Sequence, residues 1–257
     1  MHTITNPAID RMRNNEAALG MIVRLSRTAE IAKVAAASGH DFLFIDAQHG
    51  PFSLETISDI AQAAVAEGIA GLVRVRGSAD PDIGRILDAG ASGIVVPDVE
   101  TAEQAREAVM AARFAPLGRR SVSGSYASLG FRPVPVGEAS VMLNTATLVV
   151  CMIETARGMD AIETIAAVEG VDVLHLGAND LLSDMGMPGQ FDAPEFTALK
   201  NRFFEVCGAH GRWAGFGGDR DLGRQKDAIA RGARFVTTNT DLGYLLQAAS
   251  AKTASLR

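Results

Sequence analysis

Asp46 and His49 stand three positions apart in FIDAQHGPF, residues 44–52, where a hydrophobic run ends. A carboxylate beside an imidazole fixes the ring tautomer and raises its basicity, which suits a general base working near neutral pH. Each residue also has a purely structural interpretation, because Asp46 could cap a turn and His49 could be a hydrogen-bonded structural histidine. The two residues together favour the general base.

Two further acids lie at the ends of apolar runs: Glu154 ends TLVVCMIE, and Asp180 follows VDVLHLG in LGAND. Glu154 could be the buried partner of an arginine, and Asp180 could be the N-cap of the short helical segment DLLSDMG. Carboxylates at neighbouring strand ends would repel each other unless a cation or an arginine lay between them. A hard divalent ion with oxygen ligands and remaining waters satisfies this pair.

Arg74 and Arg76 belong to the run GLVRVR. Alternate residues of a strand face opposite sides, so only one of these arginines can point into a closed sheet. We expect Arg74 to be the inner one, partly from the family resemblance given below. His175 lies two positions before Gly177 inside another run, and we expect it to pack in the core or in an interior layer.

The hydrophobic pattern predicts the scaffold for these side chains. Short β-rich runs alternate with longer segments whose apolar residues recur at spacings of three and four. Eight strands and eight helices in alternation predict a closed (β/α)8 TIM barrel, a single domain over residues 1–257. The strands are predicted at 20–25, 41–46, 71–76, 93–97, 147–154, 171–177, 212–216 and 234–238.

The carboxyl ends of barrel strands meet on one face, where active sites form. The candidate side chains all follow or end predicted strands, so we expect them on that face. The Gly-, Ser- and Pro-rich segment 116–138 interrupts the alternation and is predicted to be a lid, a binding loop or an interface arm. GFGGD (215–219) and TTNTD (237–241) follow the last two strands, where many barrels bind phosphate.

The composition argues against several classes of partner. A net charge of -6 without a concentrated Lys/Arg surface gives no reason to expect nucleic acid. Cys151 and Cys207 show neither metal spacing nor a disulfide pattern, which indicates a reducing compartment. A polar amino terminus and the lack of any uncharged apolar run of about 18 residues predict a soluble, cytoplasmic protein that does not contact membranes.

An ordered set of motifs carries a family resemblance. DFLFIDAQHGPF, GLVRV, PLGRRSV, MIET and VEGVDVLHLGANDLLSDMG, with the segment 86–109, look like the HpcH/HpaI class of metal-dependent pyruvate aldolases. That class includes 2-dehydro-3-deoxyglucarate aldolases and is related to the citrate lyase β-chain. The resemblance spans about residues 20–250. It implies a (β/α)8 barrel in a homo-oligomer, commonly a hexamer, whose last helix packs on a neighbouring subunit.

The resemblance implies a metal site and a carboxylate site. Glu154 in IET and Asp180 in GAND match the two metal carboxylates of the family. The backbone around Ala178, Asn179 and Asp180 matches the turn whose amides receive the pyruvate carboxylate. The implied cofactor is a divalent cation, and carboxylates with water suit Mg2+, Mn2+ or Co2+.

The resemblance also implies catalytic groups. His49 matches the general base, Asp46 the acid that orients it, and Arg74 the arginine that contacts the keto or enolate oxygen. The implied enzyme is a class II aldolase that cleaves or forms 4-hydroxy-2-oxo acids, with pyruvate or another 2-oxo acid and an aldehyde as small-molecule substrates. No predicted strand contains a lysine, which disfavours a Schiff-base mechanism.

Three alternatives stay open from the sequence. The same metal enolate would serve an oxaloacetate decarboxylase or a citramalyl-type lyase. The two segments after the last strands could instead belong to a lyase or isomerase acting on a phosphorylated sugar. A non-catalytic barrel that binds a small acid is disfavoured, because it would predict loss of one or more of the residues that could do chemistry.

Some residues depart from the family pattern. Met152 stands where relatives often have Gln, and Ala47 and Gln48 replace a common Gly and Glu. The first-strand segment MIVRLS lacks the aromatic residue that some relatives place by the aldehyde pocket, and it offers Arg24 nearby. Arg24 could favour a charged or hydroxylated acceptor, or it could pair with a surface acid. Arg120 matches an arginine that the family places in the long loop, and this loop could close a neighbour's active site. The acceptor half therefore stays open.

Overall fold

Eight parallel strands close into a barrel in the computed structural model, which describes residues 4–257. Each strand pairs with the next along the chain, and the last pairs with the first, so the predicted (β/α)8 barrel is confirmed. The strands are β1 (Ala18–Val23), β2 (Phe42–Asp46), β3 (Ala70–Arg74), β4 (Gly93–Val96), β5 (Leu148–Ile153), β6 (Val173–Gly177), β7 (Trp213–Gly217) and β8 (Ala233–Thr240).

Helices follow the strands on the outside of the barrel. Over the described residues they are α1 (Pro7–Arg13), α2 (Glu30–Ala37), α3 (Leu54–Ala66), α4 (Ile83–Asp88), α5 (Ala102–Ala112), α6 (Val136–Ala146), α7 (Ala156–Asp160), α8 (Ile162–Ala166), α9 (Ala178–Asp184), α10 (Pro194–Ala209), α11 (Leu222–Ala230) and α12 (Asp241–Ser255), with a 3-10 turn at Ala127–Leu129.

The helices depart from the predicted strict alternation. α1 precedes the first strand, and α6 begins within the segment that the sequence suggested was a loop. The segment predicted as one helix after β5 is divided into α7 and α8 at Ala161. α1 is short, and its buried residues Ile9 and Met12 pack with the side chains of the barrel interior. That packing stabilises it where local periodicity is too brief to predict a helix.

The barrel interior is filled by alternate residues of the strands. Phe42 and Phe44 of β2 belong to the inner cluster, whereas Leu43 and Ile45 pack outward with the helices. Phe42 stacks on Phe235 of β8 at a centroid distance of 4.3 Å. All residues of β2 are buried, as expected for parallel strands covered on both faces. The period of two therefore decides which side chains reach the interior.

The segment 116–138 is tied to the flank of its own barrel. The Arg120 guanidinium is almost fully buried, donates to Asp88 Oδ1 at 2.6 Å and lies over the Phe114 ring. Tyr126 and Leu129 pack with Phe114 in a small separate cluster. Arg120 therefore anchors the segment to its own barrel, and closure of a neighbour's active site by this loop stays a prediction.

The last helix, α12, packs little against the barrel. Only Asp241 among its residues is buried, and Leu242, Leu245 and Leu246 are exposed. These three leucines thus do not face the chain's own barrel, and the packing of α12 on a neighbouring subunit stays a prediction. Over residues 4–257, none of the helices is both long and apolar enough to cross a lipid bilayer.

Gly20 of β1 provides a test of the packed interior. A Cβ placed there would lie 2.0 Å from the Phe42 ring, which is held by Phe235. We expect Gly20→Ala to lower the free energy of unfolding by about 1–3 kcal/mol through overpacking. Gly208→Ala is the control, because a Cβ at that helical position meets open space. Urea unfolding measures both, and equal stability of the two variants would contradict this packing.

Candidate active site

The alternation that fills the barrel also places chemistry at its carboxyl end. The inner series of β2 runs through Phe42 and Phe44 to Asp46. The equivalent series in β3 ends at Arg74, and the series in β5 continues to Glu154 just beyond the strand. All three polar side chains are buried. A layer of charged groups therefore lies directly above the apolar interior.

Arg74 is the inner arginine of its strand, as expected. It is 4% exposed, whereas the Arg76 side chain is 60% exposed and pairs with Asp80 outside the barrel. Arg74 Nε donates to Asp46 Oδ1 at 2.9 Å, and Arg74 Nη2 donates to Asp46 Oδ2 at 2.6 Å. This two-point pairing fixes the plane of the guanidinium.

Asp46 receives a second arginine and a backbone group. Arg24 Nε donates to Asp46 Oδ2 at 2.6 Å, and the His49 backbone N–H donates to Oδ1 at 3.2 Å. Burial alone would raise the pKa of the Asp46 carboxyl, but the hydrogen bonds and charges of Arg74 and then Arg24 outweigh it and hold the pKa below its ordinary value. Asp46 is therefore a fixed carboxylate.

The contact between Asp46 and His49 differs from the one that the sequence suggested. The carboxylate holds the His49 backbone, while its other contacts in the described structure are to the two arginines. His49 is exposed, and its ring makes no hydrogen bond within residues 4–257. Asp46 thus positions the loop that carries His49, and its predicted action on the ring itself stays a prediction.

Glu154 is a buried acid with one free oxygen. Its Oε1 accepts from the Asp98 backbone N–H at 2.9 Å, and its Oε2 is buried without a hydrogen-bond partner in the described part of the chain. A side chain at Gly177 could not fit beneath it, because a Cβ there would lie 2.5 Å from Oε2. The absence of a side chain at position 177 makes room for the carboxyl group.

Burial raises the pKa of Glu154 to about 7. The Asp98 N–H opposes this rise, and the negative charges of Asp98 and Asp180 add to it. A buried oxygen without a donor is costly, and a site of this kind is completed by a bound group or ion. The free oxygen of Glu154 is therefore available to a hydrogen-bond donor or a cation.

Asp180 lies in the first turn of α9, which starts directly after β6. The residue at the N-cap is Gly177, so the alternative interpretation of Asp180 as the N-cap is wrong. Asp180 and Glu154 line the same cleft of about 370 Å³, together with His49 and Gln48. The two predicted metal carboxylates and the predicted base are therefore brought together.

A second cavity of about 100 Å³ adjoins this cleft, and Asp180 lines both. Arg24, Arg74 and Asn179 also line this smaller cavity, with the turn after β7 and the last residues of β8. TTNTD was predicted to follow the last strand, but residues 237–240 belong to β8, and α12 begins at Asp241. Met152 lines the smaller cavity as well. The site thus has an acidic part beside β5 and β6 and a basic part beside β1 and β3.

Asp98 is a site residue that the sequence reasoning did not single out. It follows β4, adopts a positive φ of 53°, and binds Glu154 through its backbone and Gln48 through its carboxylate. The sequence feature that could have identified it is an acid directly after the fourth predicted strand, in VVPDVE. The other candidates were found by the same criterion, a polar residue at the carboxyl end of a strand. His175, in contrast, behaves as expected, because it is fully inside the barrel and meets Phe235 edge-on.

The sequence pattern of the HpcH/HpaI aldolase/citrate lyase family matches residues 20–248. The chain belongs to this family. The chain is 40% identical over 200 residues to a 4-hydroxy-4-methyl-2-oxoglutarate aldolase of Chaetomium globosum, covering 77% of this chain and 74% of that one. It is 36% identical to a 4-hydroxy-2-oxovalerate aldolase of Novosphingobium aromaticivorans, with coverage of 94% and 90%.

A solved HpcH/HpaI aldolase from Desulfitobacterium hafniense superposes with a TM-score of 0.91 at 26% identity, covering 96% of this chain and 95% of that chain. This likeness over nearly the whole chain agrees with the barrel fold.

Replacement of Asp46 tests the central ion pair. Asp46→Asn leaves two guanidinium groups facing an uncharged amide, one of them buried, so we expect a loss of about 3–5 kcal/mol in the free energy of unfolding at pH 7. Glu103→Gln, which removes an acid from an exposed ion pair with Arg106, should have a far smaller effect. Both free energies are measured by urea unfolding. Similar losses in the two variants would show that the buried ion pair contributes no more to stability than an exposed one.

The same variant has a defined pH dependence. The pKa of Asp46 is lower in the folded state than its ordinary value of 3.8, so its stabilisation is fully present above that value and is lost as the pH falls through the folded pKa. The stability difference between the wild type and Asp46→Asn should therefore stay constant from pH 7 to pH 5 and shrink below pH 3.8. A difference that already shrinks near pH 6 would contradict the assignment.

Proposed function

We propose that this protein is a divalent-metal-dependent aldolase that cleaves or forms 4-hydroxy-2-oxo acids, with pyruvate as the enolate donor. The observation that carries the proposal is the free buried oxygen of Glu154, which lies in one cleft with Asp180 and His49. Family membership supports it, since the relatives of known activity named above act on 4-hydroxy-2-oxo acids.

The residues present fit a hard divalent cation. Glu154 and Asp180 would hold it, because carboxylate oxygens are the ligands that Mg2+ and Mn2+ prefer. Two carboxylates occupy only part of the coordination sphere of such an ion, so positions would be left for water and substrate. When bound, the ion supplies Lewis acidity that makes the C3 protons of a 2-oxo acid easier to remove.

Arg74 is suited to the oxygen on which negative charge develops. Its Nε and Nη2 are held by Asp46, which leaves the other terminal nitrogen for the keto oxygen of the substrate. A preorganised donor of this kind contributes on the order of 100- to 1000-fold in rate. The first N–H groups of α9, at Ala178 to Asp180, lack partners within the helix and would receive the carboxylate.

His49 is placed to act as the base. In the cleavage direction its ring takes the proton of the 4-hydroxyl, the C3–C4 bond breaks, and the electron pair of that bond passes to C3. The aldehyde leaves, and C3 then takes a proton to give pyruvate. The reverse sequence forms the bond. None of the eight strands carries a lysine, so an imine route lacks its nucleophile inside the barrel.

The alternative of a phosphorylated sugar has less support. A phosphate near the carboxyl ends of β7 and β8 would need free donors there. Asp219, in the turn after β7, is already bound by Arg224 at 2.6 Å. Residues 237–240 belong to β8 itself and do not form a loop after it. An oxaloacetate decarboxylase stays open, because it would use the same donor half.

Exchange of the methyl protons of pyruvate tests the base. In D2O with Mn2+ or Mg2+, NMR should show that the wild type incorporates deuterium at C3 of pyruvate. His49→Ala should exchange these protons at least about 100-fold more slowly, as expected for the loss of a general base. His210→Ala is the control, because that histidine lies on the outer surface beside Glu163. Equal exchange in wild type and His49→Ala would remove His49 from this role. Oxaloacetate, assayed in parallel, shows whether decarboxylation is the faster reaction.

Binding of Mn2+ tests the metal site directly. Glu154→Gln and Asp180→Asn should each weaken Mn2+ binding by at least about tenfold, measured by electron paramagnetic resonance. Loss of a residue that only hydrogen-bonds to a metal ligand already lowers metal affinity by about 10- to 100-fold, so loss of a ligand should cost at least as much. Glu205→Gln changes an exposed acid of α10 and should bind as the wild type does. Chelation should abolish exchange into pyruvate, and added Mn2+ should restore it. Persistent exchange after exhaustive chelation would overturn the metal proposal.

A further inference from the structure

Arg24 lies just beyond β1, and its surroundings hold it firmly. The Asp241 carboxylate accepts the backbone N–H groups of Arg24, Leu25 and Ser26 at 2.7–3.1 Å. Arg24 Nε donates to the buried Asp46, so the side chain does not pair with a surface acid. Backbone and side chain are thus both fixed, and the guanidinium is preorganised at the mouth of the barrel.

The outer part of the Arg24 guanidinium is available. Its terminal nitrogens make no hydrogen bond within the described residues, and its side chain is 38% exposed. Two arginines share the single carboxylate of Asp46, which leaves one positive charge uncompensated at this point. The pair of terminal N–H groups presents a fork that matches a carboxylate in geometry and charge.

Arg24 faces the cavity from the side opposite the metal carboxylates. It follows β1, which pairs with β2 and β8, whereas Glu154 and Asp180 follow β5 and β6 across the barrel. With the 2-oxo acid donor held by those acids and Arg74, the β8–β1 side is the part of the cavity that is left for the acceptor. That side is lined by Arg24, and by Arg220, which makes no ion pair in the described structure and is exposed.

The cavity that Arg24 borders is small, about 100 Å³, and Arg74, Asn179 and Asp180 line it as well. Arg24 therefore faces the same space as the groups proposed for the donor. A small space and a free guanidinium fork together favour a short acid.

We propose that Arg24 binds a carboxylate on the carbonyl acceptor, so that the preferred acceptor is a short carbonyl acid such as a 2-oxo acid. This rests on the proposed aldolase function. The new bond joins donor C3 to the acceptor carbonyl carbon, the acceptor oxygen takes a proton, and no atom is lost. The 4-hydroxy-2-oxo acid formed therefore carries a carboxylate at both ends, and Arg24 determines acceptor specificity.

Paired acceptors test this assignment. Glyoxylate and glycolaldehyde have similar size but only the first has a carboxylate, and each is condensed with pyruvate. In Arg24→Leu the ratio of kcat/KM for glyoxylate to that for glycolaldehyde should fall about 10- to 100-fold, the range for a lost charge-assisted hydrogen bond. The fall should lie in KM for glyoxylate. Arg24→Lys, which keeps the charge without the fork, should fall between the wild type and Arg24→Leu.

The ratio separates specificity from general damage, since any disturbance of Asp46 and Arg74 affects both acceptors. Arg106→Leu removes an exposed arginine from α5, far from the cavity, and should leave the ratio as in the wild type. If Arg24→Leu does not fold, Arg24→Gln and Arg24→Lys give the same comparison. An unchanged ratio in the Arg24 variants, while the wild type exchanges pyruvate protons, overturns this inference alone. Absence of exchange in the metal-loaded wild type overturns the proposed function instead.

Discussion

The carboxylate of Asp46, buried between two arginines, is the interaction on which the site depends. It fixes Arg74 through two hydrogen bonds, Arg24 through a third, and the His49 loop through a backbone N–H. A buried carboxylate in such contacts stays charged, because its arginine partners offset the cost of removing it from water. One side chain thereby sets the positions of the groups proposed for donor, acceptor and proton transfer.

The barrel supplies this constraint through strand geometry. Inner side chains below the site are apolar, and the next inner position on β2, on β3 and after β5 is charged. Space for polar groups inside the barrel comes from glycines. Gly177 makes room for the Glu154 carboxyl. Gly217 makes room for the His175 ring, since a Cβ there would lie 2.6 Å from His175 Nε2. Packing of the core and construction of the site are thus consequences of the same alternation.

Charge is divided across the mouth of the barrel. Glu154, Asp180 and Asp98 lie on the side of β4 to β6, and Arg24 and Arg74 lie on the side of β1 and β3. The acidic side suits a cation, and the basic side suits developing and permanent negative charge on a substrate. With a cation held on the acidic side, a small anionic substrate between the two sides would meet positive charge at each end. The division explains how an acidic protein holds acidic substrates by local groups.

The sequence by itself determined the parts that depend on local pattern. Periodicity predicted all eight strands and the closed barrel, and the ends of those strands pointed to Glu154 and Asp180. Alternation within a strand, with the family motif, selected Arg74 over Arg76. Only the tertiary structure decided the parts that depend on contacts between distant residues. Examples are the pairing of Arg24 with Asp46, the free oxygen of Glu154 above Gly177, and the docking of α1 under the barrel. The physical reason is that hydrophobic periodicity depends on neighbouring residues and can be found in the sequence. The partner of a buried charge depends on which strand ends the closed barrel brings together.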